Sequence, residues 1–213
     1  MYTIIGIILG WLFGILGQRP IIYIQNSFKK QPLKKSIFVE LNDLKCHLAV
    51  LSFIIYSRIG KIDREYLLWI QSIIKTYNGF YEHLKNPKEI DILLQIKEED
   101  FEATVELMKK SEDLNKGLSL KKFNMPFIDS NYSQIHLFNT KFQEGILEIR
   151  EEIRRINEQI DLAWFYFFKT FDSDLSENNA KIIRDNLEFE YLNIGKKAVN
   201  ISKNINVFID RSG

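Results

Sequence analysis

The chain has little of what builds a disulfide-stabilised or loop-rich protein. Its 213 residues include one cysteine, Cys46, so no disulfide can form within the chain and nothing indicates an oxidising compartment. It has four prolines and ten glycines, and four of the glycines lie in the first 17 residues. Because the rest of the chain is poor in helix-breaking residues, its composition favours long helices.

Negative charge is absent from the first part of the chain. Residues 1–35 hold five basic residues and no acid, a charge of +5, whereas residues 36–213 hold 24 basic and 28 acidic residues, a charge of −4. A protein that binds nucleic acid usually spreads a basic surface over its folded domain. The slightly acidic main part therefore argues against a nucleic-acid partner.

Residues 1–18 contain no charged side chain. As a helix they would be ~27 Å long, close to the ~30 Å hydrocarbon core of a bilayer. A cleaved signal peptide would require a basic residue before the apolar run, and none is present. We therefore expect a transmembrane anchor at residues 1–25 and a basic juxtamembrane linker at residues 26–35, with the lipid bilayer as a partner.

Basic residues follow this apolar run, and the positive-inside rule then places the rest of the chain in the cytoplasm. The prediction is a single-pass protein of the cell inner (plasma) membrane. The cations expected at the membrane surface are Arg19, Lys29, Lys30, Lys34 and Lys35.

The glycines of the predicted anchor repeat at helical spacing. Gly6, Gly10, Gly14 and Gly17 fall within ~80° of one another at ~100° per residue. Such a face of small residues lets two membrane helices approach closely, and it predicts a homo-oligomer held through these glycines. Membrane helices are rich in glycine in general, and a glycine-lined pore is a further alternative.

Residues 36–213 are predicted to form an all-α helical bundle. Ser36 is suited to cap a helix that runs to about Ser57 and ends at Gly60, and Asp63 is suited to cap the next helix. A later helical stretch is expected to break near residues 98–100. Residues 115–130 form an irregular stretch that either packs its own apolar residues on the bundle or meets a ligand, a partner or the membrane.

Two segments carry a long apolar repeat with alternating steps of four and three. Two such helices joined by a short turn form an antiparallel helical hairpin. The first helix is expected over residues 132–171, and Ser176 is expected to cap the second. The repeats are Phe142, Ile146, Ile149, Ile153, Ile156, Ile160, Ala163 and Phe167, then Ile183, Leu187, Tyr191, Ile194, Ala198, Ile201, Ile205 and Phe208.

An apolar run at residues 162–168 includes five consecutive aromatic residues, 164–168. Since no side of a helix is polar there, the run must be covered on every side. We interpret it as core, with a ligand pocket or a partner surface as the alternative.

Few side chains are placed to carry chemistry. Glu40, Asp43 and His47 share a helix face and could in principle hold a metal, but an exposed acidic turn explains them equally simply. Cys46 and His47 are adjacent, so they point apart on a helix. His83 lies near a helix end, where a structural role is expected. We therefore predict no metal, no cofactor and no enzymatic activity.

In size and helix content the chain resembles the HEPN-type helical ribonucleases. Their motif is an arginine with a histidine four to six positions later. The nearest pairs here are Asn78 with His83 and Asn131 with His136, and both lack the arginine. A ribonuclease of this type is the lesser alternative.

The layout predicts a membrane-anchored, self-associating helical protein that acts through protein contacts. By arrangement alone it resembles membrane-perturbing effectors of bacterial defence or stress systems. The alternative is a membrane-tethered adaptor or scaffold for a separate protein, with the partner encoded nearby.

Overall fold

The computed structural model describes residues 2–77, 87–110, 118, 120–172 and 175–212, with the backbone alone for residues 2–27, 87–89, 92, 109 and 110. Over these ranges the chain is all-helical and contains no strand. Short 3-10 segments lie at Glu98–Asp100 and Tyr132–Leu137. The helices are α1 (Tyr2–Arg58), α2 (Arg64–Lys75), α3 (Pro87–Gln95), α4 (Phe101–Lys110), α5 (Pro126–Ser130), α6 (Thr140–Lys169) and α7 (Glu177–Ser212).

The first helix is continuous where a linker was expected. Residues 28–35 form helical turns of α1, so Ser36 lies inside the helix and the prediction that it caps one is wrong. Leu33 and Ile37 are buried against the rest of the bundle. This burial favours helix through Pro32 despite the backbone hydrogen bond that a proline cannot donate.

The predicted transmembrane anchor lies outside the residues whose side chains are described. Among the described residues, no helix is both long enough and apolar enough to cross a bilayer. The transmembrane helix is therefore not supported by the structure and stays a prediction.

The boundary between α1 and α2 agrees with the sequence. Gly60 has a φ of 64°, the left-handed conformation that favours glycine after a helix. The Asp63 side chain accepts a hydrogen bond of 2.7 Å from the Tyr66 backbone amide and so caps α2. The chain reverses here, and α2, α3 and α4 pack on one side of α1 as a second apolar cluster.

The antiparallel hairpin of α6 and α7 is confirmed. α6 begins at Thr140, later than the expected residue 132, because the Asn139 side chain caps it by accepting from the Phe142 amide at 2.9 Å. Ser176 accepts from the Asn179 amide at 3.3 Å before α7, as predicted. The repeat residues of α6 from Phe142 to Ala163 are buried.

The third helix of the main core is α1, which runs antiparallel to α7. The Lys45 ammonium donates to the Asn206 side-chain oxygen at 3.0 Å, and the Ser202 hydroxyl donates to the Lys45 carbonyl at 3.2 Å. Further along, a Cβ built on Gly195 would lie 2.6 Å from the Tyr56 ring. Because α1 ends at Arg58, it covers the last half of α7 and leaves the first half beyond its reach.

The described part of the irregular stretch packs across the hairpin. Leu118, Leu120 and Met125 are buried in the main core. Phe123 and Asn157 exchange two hydrogen bonds, each 2.8 Å, which hold the stretch on α6. The sequence alternative in which this stretch packs its apolar residues on the bundle is confirmed for these residues.

Candidate interaction surface at the hairpin tip

Among the described residues, the hairpin extends beyond every helix that packs on it. The irregular stretch covers the hairpin as far as Tyr191 and Asp161. The Leu118 amide donates to the Tyr191 hydroxyl at 3.0 Å, and Lys122 pairs with Asp161 at 2.7 Å. We call the described residues 161–172 and 175–190 the hairpin tip. Phe168 lies ~39 Å along α6 from Phe142, at ~1.5 Å per residue.

Four large aromatic side chains are exposed at the tip, three on α6 and one in the turn that follows it. Trp164, Phe165, Phe168 and Phe171 are 37%, 54%, 64% and 69% exposed. At ~100° per residue Trp164, Phe165 and Phe168 lie within ~100° of one another around α6, and Phe171 follows in the turn after Lys169. We call these four residues the aromatic face. They expose on the order of 450 Å² together, in the range of surface patches that are often functional.

The interpretation of residues 164–168 as core is therefore wrong for most of them. Tyr166 and Phe167 are half-buried and pack against the core, and Phe167 continues the apolar repeat. Trp164, Phe165 and Phe168 pack against no third helix among the described residues, because α1 ends at Arg58. The sequence feature that could have predicted this exposure was helix length, because α6 extends farther than a helix that ends near Arg58 can cover.

Further exposed apolar residues at the tip are one on α6 and two on α7. Leu162, Ile182 and Phe189 are 46%, 49% and 59% exposed. Edge-on and tilted contacts join several of the aromatic residues of the tip. Phe167 and Phe171 meet edge to face at 5.1 Å, and Phe165 lies 5.5 Å from Tyr166. The rings thus form a packed surface.

The hairpin tip is acidic overall. Its described residues hold six acids and three bases, a net charge of −3. One of the bases, Lys169, is engaged by Asp172 at 3.0 Å and lies 5.9 Å from the Phe165 ring. The tip therefore combines an apolar centre with an acidic rim.

Glu190 lies at the inner edge of the tip. Its Oε2 is buried and has no hydrogen-bond partner among the described residues. Burial raises the pKa of this carboxyl, and the nearby Lys197 opposes the shift. A carboxylate buried in this way destabilises the fold at neutral pH.

The predicted anchor and membrane-surface residues are placed only in part. Gly6, Gly10, Gly14, Gly17 and Arg19 lie where side chains are outside the described residues. The four lysines lie on α1 near the end of the bundle opposite the tip. Lys29 and Lys35 are exposed, and Lys30 and Lys34 are half-buried.

Glu40 serves a structural purpose in the fold. Its carboxylate accepts hydrogen bonds from the Phe127 and Ile128 amides, at 2.7 and 2.8 Å, and so binds the first turn of α5. The His47 Nδ1 lies 2.8 Å from the Asp43 carbonyl. Among the described residues no group of three or more possible ligands could hold a metal ion.

The side chains considered for catalysis do not come together. Burial raises the pKa of the Cys46 thiol to about 12, so it is not a thiolate nucleophile at neutral pH. Asn131 bonds its own helix through the Phe127 carbonyl, and His136 lies 2.6 Å from the Ser133 carbonyl. Asn78 and His83 lie outside the described residues.

Sequence reasoning missed Lys45, which is buried with its ammonium on Asn206. Burial lowers the pKa of this lysine, and the charge of Asp210 opposes the shift. The residue joins α1 to α7 in the core. Lys45 lies between Leu44 and Cys46, which are both buried. The local sequence therefore gave no distinct signal of the role of Lys45.

Comparison with known proteins identifies no relative: no family model matches the chain, and neither curated proteins nor solved structures give a significant match.

Proposed function

We propose that the chain is a membrane-anchored helical adaptor that binds a separate protein through its hairpin tip. The observation that carries the proposal is the aromatic face, which is exposed at the end of α6 and in the turn after it. Aromatic residues, phenylalanine and tryptophan among them, are enriched at protein interfaces relative to the rest of the surface. In this proposal residues 1–25 form the membrane anchor and the bundle lies in the cytoplasm.

The charge of the tip favours one class of binding partner over others. The tip's net charge of −3 repels nucleic acid, anionic lipid and the tip of a second copy. A protein with an apolar pocket and a rim of lysine or arginine is complementary to it. The separation of ~39 Å between Phe142 and Phe168 also holds the tip away from the end where the anchor enters.

The test uses the full chain and the purified products of neighbouring genes, the partners that the anchored layout suggests. Replacing Phe165, Phe168 and Phe171 together by serine should weaken binding at least thirtyfold, about what one central interface residue contributes. Leu107→Ser is the matched control, since Leu107 is 68% exposed on α4. Unchanged binding by the triple variant would refute the tip as the site.

The acidic rim supplies a second arm of the test. Asp185→Lys with Glu188→Lys should weaken binding, and added salt should weaken the wild-type complex, because the attraction is between opposite charges. Sedimentation of the unpartnered chain with and without the triple substitution tests the second copy as occupant. A loss of dimers in the triple variant would assign the tip to self-association instead.

The glycine spacing of residues 6–17 favours a second candidate function, a self-associating membrane effector. Here the anchor would be active rather than a tether. Gly10→Ile should abolish crosslinked oligomers and activity, whereas Ile15→Leu, a control on the opposite side, should not. An unrelated transmembrane helix in place of residues 1–25 should preserve an adaptor and inactivate an effector.

A further inference from the structure

One side of the hairpin is covered by two other parts of the chain. Over α7 lies α1, since a Cβ built on Gly195 would lie 2.6 Å from the Tyr56 ring. Over α6 lie α5 and the irregular stretch, and Asp129 of α5 pairs with Arg150 of α6 at 2.9 Å. The Glu40 carboxylate of α1 accepts hydrogen bonds from two α5 amides, so the two covers are adjacent and lie on the same side of the hairpin.

On α6 this cover ends where the aromatic face begins. The irregular stretch is held to Asn157 by two hydrogen bonds and to Asp161 by an ion pair. The next residues at steps of three and four are Trp164 and Phe168. At ~100° per residue all four lie within ~60° of one another around α6. Trp164 and Phe168 therefore continue the stripe that the irregular stretch covers, and their side chains are exposed.

On α7 the side that α1 covers becomes charged toward the tip. Glu188, Arg184 and Lys181 precede Gly195 at helical spacing and lie within ~60° of it around α7. Asp185 lies beside them, and all four charged side chains are exposed. Within the described ranges none of the four forms an ion pair, so their charges are available to a partner.

The aromatic and the charged residues lie at about the same height along the hairpin. The Asn204 side chain of α7 donates to Glu152 of α6 at 3.1 Å. Equal numbers of residues toward the tip lead from this contact to Phe168 on α6 and to Glu188 on α7. We call the space between these two sets of residues the tip groove. It continues the side that α1 covers at the basal end of the hairpin, where α6 begins and α7 ends.

The tip groove suits a segment that satisfies its own backbone hydrogen bonds. Asn157 holds an extended segment because its amide pairs with both backbone groups of Phe123. Phe168 has no polar atom and Trp164 offers a single donor, so an extended backbone would lose hydrogen bonds with water there. A helix has no such loss, and α1 shows that this side of the hairpin accepts one.

The size of the aromatic face also favours a single helix. It exposes on the order of 450 Å², about half of the ~800 Å² that each partner buries in a standard protein–protein interface. A whole domain would need a larger contact area for a stable complex. One helix packed along the groove does not.

We propose that the partner binds the tip groove with one amphipathic helix, on the side of the hairpin that α1 covers farther down. Its apolar residues meet Trp164 and Phe168, whose rings enter the holes between them. One edge of the helix carries lysine or arginine toward Glu188 and Asp185, and an acid about one turn farther out toward Lys181. The proposal rests on the proposed function and names the element that the partner uses.

The test is fluorescence anisotropy of a labelled peptide added to the full chain in detergent, with detergent alone as the baseline. The peptide has about 18 residues, ~27 Å of helix, with leucine at i, i+3, i+4 and i+7 and lysine along one edge. It should bind roughly tenfold more tightly than the same residues in scrambled order or with a central proline. Equal binding of the scrambled peptide would overturn the proposal. Equal binding of the proline peptide would assign the groove to an extended segment instead.

Two paired variants locate the bound peptide. Trp164→Ser with Phe168→Ser should weaken binding roughly tenfold, whereas Ile182→Ser with Phe189→Ser should leave it unchanged. The control pair is comparably exposed and lies ~100° around α7 from the charged residues, on the outer side of the helix. Equal losses in both variants would show nonspecific apolar contact and overturn the groove.

The charged residues of the groove are tested by exchange of charge. Asp185→Lys with Glu188→Lys should weaken the lysine-edged peptide and strengthen a peptide with glutamate in place of lysine. Glu144→Lys with Glu148→Lys makes the same change of charge at exposed positions of the basal end and should affect neither peptide. Equal weakening of both peptides by the tip variant would overturn the proposed charged edge.

Failure of this proposal is distinguishable from failure of the proposed function. If a purified neighbouring gene product bound the wild type but not the triple aromatic variant, and no helical peptide bound, only the helix would be refuted. If neither bound, the proposed function would fail as well. Dimers of the chain that disappear in the variant Trp164→Ser with Phe168→Ser would assign the groove to a second copy and overturn the proposal.

Discussion

The two ends of the hairpin differ although the same two helices build both. At the basal end α1 lies on α7, and repeat residues such as Ile146 and Ile205 are almost fully buried. At the tip α1 is absent, and Phe168 is 64% exposed. The difference shows that a helix can keep its apolar repeat while its surroundings change from core to surface. What covers a side chain is decided by neighbouring elements and their lengths.

The two ends of the hairpin also differ in charge. The basal end carries both cations and carboxylates, from Lys30 and Lys34 of α1 to Glu144 and Glu148 of α6, whereas the tip is predominantly acidic. In the proposed arrangement the basal end faces the bilayer and the tip faces a protein partner. The following predictions test that division, in order of decreasing effect.

The largest expected contrast lies within α6 itself. Ile156→Ala should lower the free energy of unfolding by about 2–5 kcal/mol, because it leaves a cavity in a fully buried site. Phe168→Ala should change it by less than ~0.5 kcal/mol, as an exposed substitution does. Urea unfolding of both variants measures the contrast. Similar losses would mean that the tip is covered in the folded protein.

The boundary between the two ends is tested at Gly195. Gly195→Val should cost about 1–3 kcal/mol, because its side chain would collide with Tyr56 and Ile55 of α1. Thermal unfolding measures the loss, and partner binding through the tip should survive in the folded fraction. An unchanged melting temperature would place the end of α1 away from α7.

Glu40 tests how the basal half is fastened. Glu40→Ala removes the acceptor of two α5 amides and should cost about 1 kcal/mol, the typical value of a helix cap. Hydrogen exchange should accelerate at residues 126–130 and remain unchanged at the tip. The exposed Glu102→Ala is the control. Uniform acceleration along α6 would contradict this local role.

The smallest effect concerns Glu190 and is dependent on pH. Because burial raises its pKa, the folded state favours the protonated carboxyl. The stability that the protonated Glu190 carboxyl contributes is fully present below the ordinary pKa of 4.5. It is lost as the pH rises through the raised pKa of the folded state. Glu190→Gln should therefore melt higher than the wild type near neutral pH and at the same temperature in acid. A difference that is constant with pH would exclude this cause.

Periodicity predicted most of the hairpin and little of the site. The repeats of α6 and α7 have the spacing of one helix face, so their buried residues were predictable from local pattern. The Gly60 and Asp63 signals also held, because a left-handed turn and a side-chain cap depend on a few adjacent residues. The Ser36 cap failed, because burial of Leu33 and Ile37 extends α1 through the expected boundary.

The sequence by itself determined that this protein is helical and that its longest helices pair in antiparallel order. It also determined the separation of a basic start from an acidic tip, because charge is read directly from composition. Only the tertiary structure decided that α1 ends short of the tip and that three helices bring cations and carboxylates to one cleft. These features depend on contacts between residues such as Lys30 and Arg211, which are distant in the chain, and no local pattern records them.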